Sequence, residues 1–170
     1  MTIKKIVKWS AELIILILFV WLFSEFQTRN MLSGEKALPN KPLELVNLDT
    51  HQIVPVDLYQ HNKKTLIYFF APWCNVCHLS IENLDTLYLE HQASLNIVLI
   101  ALSYQSSTEV EAFVKQHDLN VPVYLGNEVI RAQFKITGFP SYYVVDQVGQ
   151  ITYASVGFTS ETGMKLRTWL

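Results

Sequence analysis

The stretch Ala71-Pro72-Trp73-Cys74-Asn75-Val76-Cys77-His78 holds both cysteines of the 170-residue chain. Two thiols separated by two residues can close into a disulfide and reopen, which is the chemistry of a dithiol redox centre. The same letters spell Cys-x-x-Cys-His, a signal for c-type haem attachment. Their surroundings bear on the choice. Upstream, Leu66-Ile67-Tyr68-Phe69-Phe70 is a near-continuous apolar run, the pattern of a strand covered on both faces. Downstream, Ile81, Leu84, Leu87 and Tyr88 recur at spacings of three and four, marking an amphipathic helix that starts at the motif. A cysteine at that strand-to-helix junction meets the positive end of the helix dipole and unpaired N–H groups, both of which favour thiolate.

Working outward, Leu43 to Leu48 alternates apolar and polar residues, turns at Asp49-Thr50-His51 and resumes at Ile53-Val54, which predicts a β-hairpin. Asn96 to Leu102 is a second buried strand. Ser106-Ser107-Thr108-Glu109 opens a helix with Val110, Phe113 and Val114 on one face. Val121 to Leu125 reads as a short strand and Glu128 to Phe134 as a short helix. Ile136-Thr137-Gly138-Phe139-Pro140 then leads into a strand over Ser141 to Asp146, which forms a hairpin with Gln150 to Ala154. Tyr142 and Tyr143 alternate across that strand, one expected inward and the other outward. The last helix spans Ser160 to Leu170, with Glu161 early and Lys165 and Arg167 late, as the dipole prefers. Strands alternating with helices imply an α/β domain with a central sheet covered on both faces.

Composition removes several classes of function. A formal net charge of −2 and a pI near 6.2 show no basic excess, so no nucleic-acid partner is expected. Both cysteines are used by one motif, which leaves no structural disulfide framework. Zinc needs two further ligands, and His51, His61, His78, His91 and His117 show no His-x-x-x-His spacing; no metal site is expected.

The positive mean hydropathy traces to the N-terminus. Leu13 to Phe23 is an eleven-residue apolar core, and the stretch from Ile6 to Phe26 reaches 21 residues, enough for a helix to cross the roughly 30 Å hydrocarbon core of a bilayer. Glu12 lies one turn after Lys8 and can pair with it, and Trp9 and Phe26 fall near the two interfaces. A cleaved signal peptide fits the core equally well, but no small-x-small cleavage pattern follows Phe23. The expectation is an uncleaved anchor over residues 1–26, a polar tether over 27–42 carrying Ser33-Gly34, Pro39-Asn40 and Pro42, and a folded domain over 43–170. Lys4, Lys5 and Lys8 precede the span and only Arg29 follows it closely. The positive-inside rule therefore keeps the N-terminus in the cytoplasm and sends the remainder to the periplasm or outer face of a bacterial inner membrane.

The order of elements, Trp73-Cys74-x-x-Cys77 at a strand-to-helix junction, and Gly138-Phe139-Pro140 before a late strand together resemble the thioredoxin superfamily. Within it the chain is similar to the membrane-anchored, periplasmic TlpA/ResA-type thiol:disulfide oxidoreductases. The resemblance covers residues 43–170 and implies a thioredoxin-like fold with a central mixed β-sheet flanked by helices. It implies Cys74 as the exposed nucleophile, Cys77 as the cysteine that resolves a mixed disulfide, a cis Pro140 facing the redox-active pair, and Phe139 offering its backbone to a substrate strand. Trp73 is read either as a packed aromatic or as a cover for the disulfide. The substrates implied are disulfides of exported proteins, with electrons from a transmembrane thiol donor and no cofactor. Oxidation of thiols uses the same residues.

Two positions depart from the family. Where thioredoxin carries a buried aspartate six residues before the first cysteine, this chain has Tyr68. Where many ResA-type reductases carry a glutamate three residues after the second, it has Ser80, with Glu82 on another helical face. Asn75-Val76 between the cysteines matches neither thioredoxin nor the oxidant DsbA and leaves the potential open. His78 is expected as a solvated helix position and Tyr68 as core. Two other readings of the motif remain: a haem-bearing electron-transfer domain, and a non-catalytic thiol chaperone or copper(I) module using both sulfurs as soft ligands.

Overall fold

A computed structural model describes residues 3–32, 38 and 41–169, in two compact units, Met1–Asn30 and Met31–Leu170. The turn signals Ser33-Gly34 and Pro39-Asn40, and Leu170 at the expected end of the last helix, lie outside the described residues. The first unit is one helix, α1 (Ile3–Thr28). By length and composition its 21 residues from Lys8 to Thr28 suffice to cross a membrane. The described side chains from Leu13 to Phe23 are more than half exposed on every side of the helix. Lys8 Nζ lies 3.9 Å from Glu12 Oε1, one turn on.

The second unit is a seven-stranded mixed sheet with helices on both faces. In chain order its elements are β1 (Leu43–Asn47), β2 (Ile53–Val56), β3 (Lys64–Phe70), α2 (Asn75–His91), β4 (Leu95–Ala101), α3 (Ser107–Gln116), β5 (Val123–Leu125), α4 (Glu128–Gln133), β6 (Ser141–Val145), β7 (Ile151–Val156) and α5 (Glu161–Trp169). The strands lie side by side as β2-β1-β5-β4-β3-β6-β7. β3 is central: it runs parallel to β4, with Tyr68 opposite Leu99, and antiparallel to β6, with Tyr68 opposite Tyr142.

Strand periodicity divides the core. Leu66, Tyr68 and Phe70 of β3 point to one face, where they meet Ile81, Leu84 and Leu87 of α2, Val110 and Phe113 of α3, and Met164 of α5. Ile67 and Phe69 point to the other, against Ile130 of α4, Phe134, Ile136 and Tyr143. Full burial of each such side chain stabilises the fold by about 1.5–3 kcal/mol before chain entropy is counted. Because both faces are covered, both Tyr142 and Tyr143 are buried, which corrects the expectation that one faces outward. β5 begins at Val123, after Pro122, which has no N–H to give a ladder.

The compact unit starts upstream of the expected domain boundary at Leu43. Met31 and Leu38 are buried in the second cluster, the Leu32 N–H donates to Tyr143 Oη at 3.2 Å, and the Leu38 N–H donates to the Gly149 carbonyl at 2.8 Å. Part of the stretch read as a tether is therefore packed on the sheet. Isolated apolar residues in a polar segment carry no period to announce this.

Asp85 was not singled out by sequence, yet it ties α2 to the start of β5. It is buried, and its carboxylate accepts the Asn120 N–H at 2.7 Å, the Val121 N–H at 3.1 Å and Asn120 Nδ2 at 2.9 Å. Asp85→Ala strands two backbone donors and is expected to cost about 2–3 kcal/mol in urea unfolding. A loss below about 0.5 kcal/mol would show that water replaces the carboxylate there.

Candidate dithiol site

The site begins where β3 ends. The Cys74 N–H donates to the Ala71 carbonyl at 3.0 Å, turning the chain, and Cys74 then caps α2 with extended backbone angles, φ −83° and ψ 108°. Its sulfur takes the role that a serine or aspartate oxygen usually plays at an N-cap: it accepts the Cys77 N–H at 3.2 Å. Both thiols are unbridged. Both are buried, Cys74 at 6% exposure and Cys77 at 0%, so Cys74 is the more accessible of the two. Burial, reinforced by the neighbouring Cys74 sulfur, pushes the Cys77 thiol well above the ordinary cysteine range.

Tyr68 and Ser80, the two positions that depart from the family, are hydrogen-bonded to each other. Tyr68 Oη lies 2.8 Å from Ser80 Oγ, and Ser80 Oγ donates to the Val76 carbonyl at 3.0 Å. A serine hydroxyl has one proton, so with that proton committed to Val76 the tyrosine is the donor in the pair. Tyr68 is core, as expected, and its ring stacks on Tyr142 at 6.3 Å. Burial pushes its phenol far up, against the smaller opposing effect of the Ser80 hydrogen bond.

Pro140 immediately precedes β6. Because β6 is antiparallel to β3, with Phe69 opposite Ser141, its first residues lie beside the last residues of β3. The Phe139–Pro140 peptide is cis, and the Pro140 carbonyl accepts the Gly157 N–H at 2.8 Å. Trp73 meets Phe139 edge-on, ring centroids 5.8 Å apart and planes at 86°. Its indole N–H donates to the Ser103 carbonyl at 2.7 Å, while the ring stays 60% exposed. The structure thus brings Trp73 and Phe139 into one surface beside the cysteine turn.

His78 is not solvated, which corrects the sequence expectation. It is half-buried, with Nε2 2.9 Å from the Pro72 carbonyl and Nδ1 2.7 Å from His117 Nε2. The Phe113 ring packs on it at 4.6 Å, and His117 Nδ1 lies 3.4 Å from Glu82 Oε1. His78 faces α3 across the helix pair. Its partner comes 39 residues later, which no local pattern reveals. Among the described residues no three His, Cys, Asp or Glu side chains converge as a metal-ligand set.

Comparison with known proteins places this architecture. The sequence model of the AhpC/TSA family matches residues 36–154. Thioredoxin-like protein YneN of Bacillus subtilis is 28% identical over 105 residues, 61% of this chain and 62% of that protein, so the chain spans less than two thirds of that relative's length. Thiol-disulfide oxidoreductase YkuV of the same organism is 24% identical over 109 residues, 61% of this chain and 72% of that protein. The solved structure of a thiol:disulfide interchange protein of the thioredoxin family from Chlorobium tepidum superposes with a TM-score of 0.68 at 20% identity, covering 79% of this chain and 95% of that one. A central β3 between a parallel and an antiparallel neighbour, delivering two cysteines to the start of α2 beside a cis proline, is the thioredoxin-like fold, and the chain belongs to the AhpC/TSA family.

Proposed function

We propose that this protein is a membrane-anchored thiol:disulfide oxidoreductase that reduces disulfides of exported proteins through Cys74 and Cys77. The observation that carries the reading is the N-cap: the Cys74 sulfur accepts the Cys77 N–H, and Cys74 keeps a little exposure where Cys77 has none. The name of the relative YkuV agrees with exchange chemistry.

In the forward direction the Cys74 thiolate attacks one sulfur of a substrate disulfide. A Cys74–substrate disulfide forms and the other substrate sulfur leaves as thiolate. Cys77 then loses its proton and attacks Cys74 Sγ, closing the Cys74–Cys77 disulfide and releasing the second substrate thiol. The substrate gains two electrons, the protein loses two, and an external dithiol returns them. Trp73, Phe139 and the backbone beside Pro140 form the surface against which the substrate strand lies.

Reduction is the direction the family resemblance favours, and the site's treatment of the reduced state supports it. A dithiol couple becomes oxidising when its thiolates are stabilised. Here burial disfavours ionisation of Cys77, which supports the reducing direction. The reduction potential is expected near that of thioredoxin, about −270 mV, and a value near that of DsbA, about −120 mV, reverses the direction. Cys77→Ser is expected to accumulate mixed disulfides through Cys74 that run as high-mass bands on non-reducing gels. No adducts from the variant, where Cys74→Ser also gives none, defeats the exchange mechanism.

The raised Cys77 ionisation makes the second step pH-dependent. Below its pKa the thiolate fraction grows about tenfold per pH unit, so stopped-flow release of substrate from the Cys74 mixed disulfide is expected to accelerate about tenfold per unit between about pH 6 and 8. Ser80 gives its proton to the Val76 carbonyl and Tyr68 gives its own to Ser80, so this neutral pair is not the base for Cys77. Tyr68→Phe therefore changes that rate by less than about threefold while lowering stability by about 1 kcal/mol. A pH-independent rate, or its collapse in Tyr68→Phe, assigns the base to this pair instead.

The anchor is α1, with Lys4, Lys5 and Lys8 retained in the cytoplasm and the folded unit on the outer side of a bacterial inner membrane. A transmembrane thiol donor is the electron source this placement requires. Alkaline phosphatase fused to the C-terminus is expected to be active and β-galactosidase inactive, and the opposite pattern would place the cysteines in the cytoplasm.

A further inference from the structure

The two aromatic residues that form the rim of the site are both held by a residue outside it. Arg131 lies in α4, and its main chain already brackets the turn before the cis proline. Its N–H donates to the Asn127 carbonyl at 2.9 Å and its carbonyl accepts the Ile136 N–H at 3.0 Å. The side chain then reaches three groups on two segments. Nε donates to the Ile136 carbonyl at 3.2 Å, Nη1 donates to Ser103 Oγ at 3.3 Å, and Cζ sits 5.9 Å from the centroid of the Phe139 ring. Ser103, with φ +53°, is the same residue whose carbonyl receives the Trp73 indole. A strained backbone conformation of that kind persists where surrounding contacts hold it.

Trp73 and Phe139 belong to loops about 65 residues apart in sequence that touch only by a ring edge. One guanidinium connects the holder of the first to the ring of the second. The planar fork suits this task, because it donates in two directions while its face lies on an aromatic ring, which a lysine ammonium cannot do. Glu128 Oε2, 3.6 Å away and largely exposed, offsets part of the charge without adding a fourth anchor.

We propose that Arg131 is a positioning residue for substrate binding: by bracing Ser103, Ile136 and Phe139 together it fixes Trp73 and Phe139 as one preformed surface for a polypeptide substrate. The binding part of this proposal rests on the exchange reading above; the bracing part does not. Preforming that surface removes the ordering cost a substrate otherwise meets on binding, so its loss appears in KM rather than in kcat.

The test uses the full chain with Arg131→Gln and Arg131→Lys, two substrates and one optical readout. With a folded protein disulfide, both variants are expected to raise KM about five- to tenfold with kcat within twofold. Reduction of the small aromatic disulfide DTNB, which needs no extended surface, stays within twofold. Acrylamide quenching of Trp73, obtained by subtracting the signal of the matching Trp73→Phe protein, rises about twofold in both variants as the indole loosens. Arg131→Lys keeps the long stem and the charge, so it tests the fork even where Arg131→Gln folds poorly. Full rescue of KM by lysine, an equal loss with DTNB, or unchanged Trp73 quenching overturns the proposal. A wild-type protein that reduces neither substrate overturns the exchange reading, and the quenching comparison still decides whether Arg131 braces the rim.

Discussion

The hydrogen-bonding position of β3, between parallel β4 and antiparallel β6, is the constraint on which the site depends. Parallel pairing sets the end of β4 beside the end of β3, so Ala101 and then Ser103 arrive next to the cysteine turn. Antiparallel pairing sets the start of β6 there as well, and with it Phe139 and Pro140. Three segments distant in sequence thus meet at one edge without a binding residue lying in the sheet itself. A β3 flanked by two parallel strands would carry Pro140 to the opposite edge, some five residues of strand, about 17 Å, away. The mixed character of the sheet is therefore part of the chemistry and not only of the architecture.

Much of this could be read before the structure was seen, because it lies in local periodicity. The continuous apolar run of β3 and the three-and-four spacing after Cys74 point to a strand, a helix and a junction, and the expected strands and helices are present with shifts of up to three residues. What escaped was pairwise and long-range. One of Tyr142 and Tyr143 reads as a candidate for solvent because alternation says nothing about whether the second face is covered. Met31 and Leu38 look like isolated residues in a polar stretch, yet the edge of the core accepts them. His78 and His117, or Arg131 and Ser103, become partners only when α2 meets α3 and α4 meets the loop after β4. Their residue types are ordinary surface types, and no spacing rule links them.

The positions expected to hold a proton acceptor show how a departure in sequence becomes legible in three dimensions. Taken separately, Tyr68 and Ser80 are two missing carboxylates. Together they are one feature: a chain of hydrogen bonds from buried Tyr68 to buried Ser80 to the Val76 carbonyl in the helix that carries Cys77. An ionised carboxylate at either site would require partners that this apolar surround does not offer, whereas a phenol and an alcohol satisfy each other at little desolvation cost. The pair keeps the interior neutral, and on the exchange reading the burden of removing the Cys77 proton passes to solvent or to the departing sulfur.

The same local geometry separates the two chemistries spelled by Cys-x-x-Cys-His. Haem attachment needs both sulfurs to reach the vinyl groups of a porphyrin and the histidine to reach its iron. Cys77 has no exposed surface, and the first turn of α2 is fastened by the Cys77 N–H to Cys74. His78 has both ring nitrogens engaged, one at the Pro72 carbonyl and one at His117, so its ligation through either nitrogen would displace one of the partners that hold it between the cysteine turn and α3. A turn held this way suits two sulfurs that must meet each other repeatedly at fixed separation. On the exchange reading, the histidine that made the motif ambiguous is a residue that fastens the cysteine turn.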